Sequence, residues 1–190
     1  HEAAAFSSGE FMKRVLVIFA LGLVALGVQA GLAKILPREL CPDLGLLVVI
    51  AIGLHWQETT RGLIVASALG FAADFLSSSL FGAHALLRVV AYAMTMVGRS
   101  QMDLRSGLAL ALFAGGLTVA YAMGLLGLMS IVDGPGQKTA WTGIGGMFPH
   151  AVVTAIAAPV ISSLVSRLSE WADGEASRPG LQIDASRARS

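Results

Sequence analysis

Two opposite charges lie in an otherwise apolar stretch of the sequence, residues 69–92, which reads LGFAADFLSSSLFGAHALLRVVAY. The charges belong to Asp74 and Arg88. A charged side chain within a membrane costs roughly 2.5–3.5 kcal/mol on insertion scales, so it needs a partner or a function. Three roles fit this pair: a polar cavity for a ligand or a partner's side chain, a proton or ion path, or a buried pair that only fixes helix register.

The residues between the two charges predict how the charges meet. SSSLFG is a short turn, so the flanking apolar runs should form an antiparallel helical hairpin. Asp74 precedes the turn and Arg88 follows it at a similar distance, which places both at similar depth. The spacing predicts Arg88 as the counter-ion of Asp74 in a polar seam between the two helices.

Other residue types that support catalysis or metal binding are scattered. The histidines His1, His55, His84 and His150 have no metal-ligand spacing, and Cys41 is the single cysteine. The carboxylates do not form a pair suited to acid–base chemistry, and no nucleophile motif occurs. We therefore expect no catalytic residues, no metal site and no cofactor.

The composition indicates the solvent in which the chain folds. Hydrophobic residues make up 55% of the sequence and charged residues 13%, and the mean hydropathy is +0.74. A soluble chain of this size could not bury so much apolar surface. The net charge of +1 indicates no nucleic-acid partner. The sequence predicts an all-α polytopic membrane protein.

Apolar runs separated by polar turns divide this membrane protein into six transmembrane helices. The predicted spans are residues 15–33, 44–56, 62–80, 83–98, 108–132 and 141–168, the last with kinks at Pro149 and Pro159. An even number of spans places both termini on one side. Nine Lys and Arg residues fall on that side and three on the other, with Arg88 inside a span, which predicts cytoplasmic N- and C-termini.

The chain divides into three parts by pattern. Residues 1–11 resemble a tag remnant, because Met12 with Lys13 and Arg14 is typical of a natural start. Residues 12–168 form the membrane domain. Residues 169–190 are polar and predicted to be a disordered cytoplasmic tail beyond their first turn or two. The first apolar run also resembles a signal peptide, but its length favours a span.

Small residues recur at four-residue spacing on three predicted helices. Such rows let helix backbones approach closely, either inside a bundle or against a partner's membrane helix. The rows that we single out as candidate packing or partner faces are Gly27 and Gly31 in the first helix and Gly116, Ala120 and Gly124 in the fifth. A third row joins Ala151 to Ala155 in the sixth helix.

The hairpin stretch resembles the central motif of the MreD family of bacterial rod-shape-determining membrane proteins. In that motif a glycine, an aspartate, a Ser/Gly-containing turn, a glycine, an AL pair and a later AY pair follow one another. The matching positions here are Gly70, Asp74, Ser77, Gly82, Ala85, Leu86, Ala91 and Tyr92. Residues 42–54, PDLGLLVVIAIGL, are similar to the segment that precedes the second span in the family. Arg88 lies outside the family pattern.

The resemblance implies a function and a fold. It implies a non-enzymatic, multi-pass scaffold of the inner membrane in the cell-elongation complex, required for rod shape and for peptidoglycan synthesis along the lateral wall. Such a scaffold binds an MreC-like bitopic protein and, through it, MreB filaments, RodA and a penicillin-binding transpeptidase. The implied fold is similar to the S-components of energy-coupling vitamin transporters. A solute-binding S-component is therefore the alternative function, and a lipid or small molecule in the polar seam stays an open expectation.

Overall fold

The computed structural model describes residues 2–56, 58–77, 81–104, 107–133 and 144–176. Throughout this part the regular structure is helical. The helices are α1 (Glu2–Leu32), α2 (Leu44–His55), α3 (Thr59–Ser77), α4 (Ala83–Gln101), α5 (Gly107–Asp133) and α6 (Ile144–Ala176), with a 3₁₀ turn at Arg38–Leu40. The all-α class and the order of six helices agree with the prediction.

The ends of two helices differ from the predicted boundaries. α1 begins at Glu2, so the backbone of most of the predicted tag remnant continues the first helix. α6 extends to Ala176 and remains helical through Pro149 and Pro159. The start of the predicted tail, residues 169–176, is therefore helical, whereas residues 177–190 lie outside the described residues.

Four of the described helices are long and apolar enough to cross a membrane. The qualifying segments are Met12–Leu32, Thr59–Ser77, Gly107–Val132 and Gly145–Ala172. These segments lie in α1, α3, α5 and α6. The shortest of them has 19 residues. About 20 residues are needed for a helix to cross the hydrocarbon core of a membrane.

The two remaining helices, α2 and α4, differ in how their apolar residues are arranged. α2 has only 12 residues, and nine consecutive ones, from Gly45 to Gly53, are buried. It packs against α1, α3, α4, α5 and α6. A helix enclosed on all sides is apolar all round, which explains why α2 shows no amphipathic pattern.

α4 is amphipathic, but with its faces reversed relative to a soluble helix. Its buried face carries Arg88, Tyr92 and Thr95 between small residues, and its exposed face carries Leu86, Val90, Met94 and Val97. Polar groups inside and large apolar groups outside are the arrangement expected where the surrounding medium is lipid.

The helices alternate in direction, so each end of the bundle collects residues from several elements. At one end the side chain of Arg14 lies over Trp56, and that of Lys13 lies over Trp171. Arg99 also donates there, to the carbonyl oxygen of Trp56 at 2.6 Å. At the opposite end, α1 and α3 finish where α2 and α4 begin, and the candidate site lies there.

Candidate functional site

The site is built on a close crossing of α3 and α4. A Cβ atom added at Gly70 would overlap the backbone of Ala85, so the two helices touch where neither has a large side chain. Further along, a Cβ added at Gly62 would overlap the ring of Tyr92. The backbone contact at Gly70 sets the register of the hairpin, and the contact at Gly62 is with the end of a side chain.

Asp74 holds the first turn of α4. One carboxylate oxygen accepts hydrogen bonds from the N–H groups of Gly82 at 2.9 Å and Ala85 at 3.3 Å, and the other from the N–H of His84 at 2.9 Å. Asp74 is 3% exposed. The first N–H groups of a helix lack partners within the helix and carry positive partial charge. The carboxylate of α3 therefore caps α4.

Gly82 makes this cap from a neighbouring helix necessary. It is the N-cap residue of α4 and has φ of 92°, a conformation that favours glycine. Because glycine has no side chain, it supplies no capping oxygen of its own. The αL turn and the distant aspartate thus act together to start α4.

The predicted ion pair between Asp74 and Arg88 is wrong. The guanidinium of Arg88 lies 3.7 Å from the carboxylate of Asp43 and donates to the carbonyl oxygen of Leu69 at 2.7 Å. The register of the hairpin explains the difference. With Gly70 opposite Ala85, the position opposite Asp74 is seven residues from Arg88, on the order of 10 Å along the axis.

Asp43 is a polar residue of this site that was not predicted from the sequence. Its carboxylate caps α2 by accepting from the N–H of Leu46 at 2.9 Å, and its own N–H donates to the Thr154 hydroxyl of α6 at 3.2 Å. An aspartate directly before an apolar run is a recognisable N-cap signal. Its pairing with Arg88 joins residues 45 positions apart, which no local pattern reveals.

Gly45 makes room for the buried guanidinium. A Cβ at this position would overlap the guanidinium of Arg88 and approach Leu26 Cδ2 to 2.7 Å. The N–H of Gly45 donates to the Gln29 side chain of α1 at 3.2 Å. The start of α2 is thus braced by α1, α4 and α6 together.

A second polar pair adjoins Arg88. His84 Nδ1 and the Tyr121 hydroxyl of α5 are 2.5 Å apart, with the two rings stacked. The Tyr121 hydroxyl also interacts with Arg88. Tyr121 was not predicted as a site residue, because nothing around it in α5 distinguishes it from an interfacial tyrosine.

These side chains border a cavity of about 570 Å³, which we call the groove. Its lining includes the polar side chains of Gln29, Lys34, Asp43, Ser77, His84, Arg88 and His150. Cys41 also lines the groove, and its thiol donates to the backbone carbonyl of Gln29 at 3.6 Å. Burial raises the pKa of this thiol, and the charge of Asp43 raises that pKa further.

The remaining motif residues lie apart from the groove or at its edge. Tyr92 is buried and its hydroxyl donates to the carbonyl oxygen of Thr59 at 3.3 Å. Leu86 is 53% exposed on the apolar face of α4. Ser77 is the last residue of α3 and lines the groove mouth.

The small-residue rows divide between the interior and the exterior. Cβ atoms added at Gly27, Gly31 or Gly116 would meet no described residue within 4 Å, and Ala120 is exposed. Gly124 faces Leu87 inside the bundle. The internal approach of α5 to α6 occurs at Gly115, whose added Cβ would lie 3.3 Å from Ala155 Cβ. The predicted α5 row is therefore one residue away from this contact.

The groove presents charged and hydrogen-bonding side chains next to an apolar wall. Within the described residues, no three His, Cys, Asp or Glu side chains are grouped to hold a metal ion. The lining instead offers N–H donors, one carboxylate and an apolar wall. Comparison of the chain with protein-family models, curated proteins and solved structures finds no match to any of them.

Proposed function

We propose that this chain is a non-enzymatic membrane scaffold of the bacterial cell-elongation complex. In this function it binds the membrane helix of an MreC-like bitopic protein and so connects it to MreB, RodA and a penicillin-binding transpeptidase. Rod shape and peptidoglycan synthesis along the lateral wall would then depend on it. The observation that carries this proposal is the open glycine face of α1.

The open face is formed by Val24, Gly27, Val28 and Gly31. All four residues are exposed, and their spacing of three and four places them on one side of α1. Among the described residues, the two glycines have open space where a Cβ would stand, so no described part of the bundle packs closely against them. In a membrane, a Gly-xxx-Gly face flanked by valines favours close approach of another helix.

The MreD-like motif supports the proposal through the hairpin. Gly70, Asp74, Gly82 and Ala85 all act in the crossing or the cap that hold α3 against α4. A motif that fixes such a hairpin specifies the shape of the bundle without any catalytic group. Shape is what a scaffold must preserve.

The proposed topology has all six helices crossing the inner membrane with both termini in the cytoplasm. α2 is short, about 18 Å at 1.5 Å per residue, but it is enclosed by its neighbours and need not meet lipid. Lys13, Arg14 and Arg99 lie at the end assigned to the cytoplasm, in agreement with the bias of positive charge.

The proposal is tested by partner recovery from membranes. Tagged chain is isolated in mild detergent from rod-shaped cells, and the MreC-like protein is quantified by mass spectrometry. Gly27→Ile and Gly31→Ile should each reduce recovery about tenfold or more, the effect of losing about 1.4 kcal/mol at the contact. Gly116→Ile makes the same change in the same open environment on α5 and should leave recovery unchanged.

The outcomes separate the scaffold from its docking face. If the partner is absent with the unaltered chain, the scaffold function is wrong. If the partner is recovered and only Gly116→Ile releases it, the function stands but the face is on α5. If none of the three variants releases it, small-residue docking is wrong.

A solute-binding S-component is the alternative function, and the groove favours it. A volume of about 570 Å³ lies within the range of small-molecule sites. Mass spectrometry of purified protein distinguishes the two functions. A water-soluble vitamin retained at one per chain would support the S-component and contradict the scaffold.

A further inference from the structure

The groove contains a buried cation whose hydrogen-bonding capacity is not filled. Arg88 is 2% exposed, and its Nε–H has no acceptor among the described residues. Its distance of 3.7 Å to Asp43 is longer than the 2.7–2.9 Å that is typical of a charge-assisted hydrogen bond. A guanidinium has five N–H donors, and leaving one unpaired in a buried place is unfavourable.

Asp43 cannot satisfy this guanidinium alone. The carboxylate oxygen nearest Arg88 already accepts the N–H of Leu46 as the cap of α2. The carbonyl oxygen of Leu69 accepts a hydrogen bond from Nη1 of the guanidinium. The Tyr121 hydroxyl also interacts with this guanidinium. The Nε–H still has no acceptor among the described residues, so donor capacity remains on Arg88, which borders the groove.

A second unpaired polar group lies in the same groove. His150, on α6, has its Nδ1 buried without a partner in the described part of the chain. Lys34, just after α1, adds an exposed ammonium at the groove edge. The lining thus has two permanent cations against one carboxylate, supplied by separate elements.

Backbone N–H groups at the helix starts beside the groove already have acceptors, so they are not available to bind an anion. The amides at the start of α4 are taken by Asp74, and the N–H of Leu46 near the start of α2 is taken by Asp43. An incoming anion would therefore be recognised by side chains, Arg88 and His150 above all. Leu26, Ala30, Ala73 and Leu76 give the same groove an apolar wall.

We propose that the groove binds a phosphate-type oxyanion, with Arg88 as the central donor and His150 and Lys34 as accessory donors. The apolar wall favours the phosphate of an anionic phospholipid, whose acyl chains would continue along the hydrophobic surface of the bundle. A soluble phosphorylated compound has the same recognition chemistry but would leave that wall unused. This site is independent of partner docking on α1.

Cys41 provides a built-in reporter of occupancy. It is the single cysteine of the sequence and lines the same groove. The full chain is placed in nanodiscs of phosphatidylcholine, with or without phosphatidylglycerol, and the rate of thiol modification by methyl methanethiosulfonate is measured. A third sample contains phosphatidylcholine with inorganic phosphate in solution.

We expect phosphatidylglycerol to slow the modification of Cys41 about tenfold relative to phosphatidylcholine alone. Loss of one charge-assisted hydrogen bond corresponds to about tenfold in affinity, so His150→Leu and Lys34→Gln should each raise the phosphatidylglycerol needed for half-protection. Arg88→Lys should do so as well, because lysine keeps the charge but lacks the fork of the guanidinium. Lys34 is exposed, which keeps Lys34→Gln informative if Arg88→Lys folds poorly.

The lipid compositions decide between sources and can overturn the site. Protection by phosphatidylglycerol alone supports the lipid, and equal protection by inorganic phosphate supports a soluble oxyanion. Equal modification rates in all three samples would overturn the proposal. Protection by phosphatidylglycerol that is unchanged in all three variants would show lipid contact without recognition, and would also overturn it.

Discussion

The cap that Asp74 places on α4 predicts a large effect of a small change. Asp74→Ala removes three hydrogen bonds, two of 2.9 Å and one of 3.3 Å, from the first turn of a helix. Loss of an N-cap costs about 1–2 kcal/mol. The N–H of Ala85 is left buried without an acceptor, which adds about 1–3 kcal/mol. We expect the free energy of unfolding to fall by the sum of these two contributions, about 2–5 kcal/mol.

Asp74→Asn separates the geometry of the cap from its charge. The asparagine oxygen can still accept one or two of the three N–H groups, so we expect a loss of about 1–2 kcal/mol. The matched control is Glu58→Ala. Glu58 is exposed and pairs with Arg61 at 2.6 Å within one helix turn, so its removal should change stability by less than about 1 kcal/mol.

The assay is equilibrium unfolding of the purified protein in mixed micelles of mild detergent and dodecyl sulfate. Helix content is followed by circular dichroism and the environment of buried Trp56 by fluorescence. If Asp74→Ala loses no more stability than Glu58→Ala, the cap is not stabilising and the reasoning is refuted. The double variant with Arg88→Met should be additive to within about 0.5 kcal/mol, because Asp74 and Arg88 are not in contact.

Three further predictions concern the groove and α1. In a double-mutant cycle on Asp43→Asn and Arg88→Met, we expect a coupling above about 1 kcal/mol, and additive effects would contradict the ion pair. Gly45→Ala should lower the free energy of unfolding by about 1–3 kcal/mol, because the added Cβ would meet the guanidinium of Arg88. Gly27→Ala should raise it by about 0.5–1 kcal/mol, because alanine favours a helix more than glycine does. Equal shifts of the two variants in the dodecyl-sulfate midpoint of unfolding would contradict the packing. The raised pKa of Cys41 favours the neutral thiol, so its contribution to stability should be present at neutral pH and lost as pH rises through the raised pKa. The free energy of unfolding should therefore fall less steeply with rising alkaline pH in Cys41→Ser than in the unaltered chain. Equal slopes for the two proteins would contradict the burial of the thiol.

The helices were predictable because the bilayer imposes long apolar runs and because turn residues separate them. α2 shows the limit of that logic. Its 12 residues read as a short span, yet the reason it is apolar is that five other helices enclose it. Hydropathy reports that a residue avoids water, and it does not distinguish burial in lipid from burial in protein.

The polar site was predictable only in part, because side-chain reach and register are tertiary properties. The sequence placed Asp74 and Arg88 in one hairpin, and the hairpin is present. The sequence did not reveal where α3 and α4 cross, which is determined by the contact between Gly70 and Ala85. A shift of a few residues in the position of that crossing is enough to separate Asp74 from Arg88. Asp74 then caps α4 instead of pairing with Arg88.

The small-residue rows illustrate the same limit on the surface. A four-residue spacing predicts a face but does not say what covers it. In the described part of the chain, a Cβ added at Gly27 or Gly116 would meet nothing within 4 Å, whereas Gly124 packs on Leu87. All three glycines belong to rows of the same kind. Only the arrangement of the whole bundle distinguishes an internal contact from an open face.

The hairpin and the groove together explain why Arg88 is tolerated at depth. The motif residues fix α4 against α3, and that rigid placement carries Arg88 to the start of α2, where Asp43 lies and Gly45 leaves space. If Arg88 only formed a structural ion pair, its guanidinium would be expected at hydrogen-bonding distance from the carboxylate, with every N–H paired. Arg88 instead lies 3.7 Å from Asp43 and borders a cavity, and its Nε has no partner within the described ranges of the chain. This geometry is what the proposed oxyanion site requires, and a purely structural ion pair would not require it.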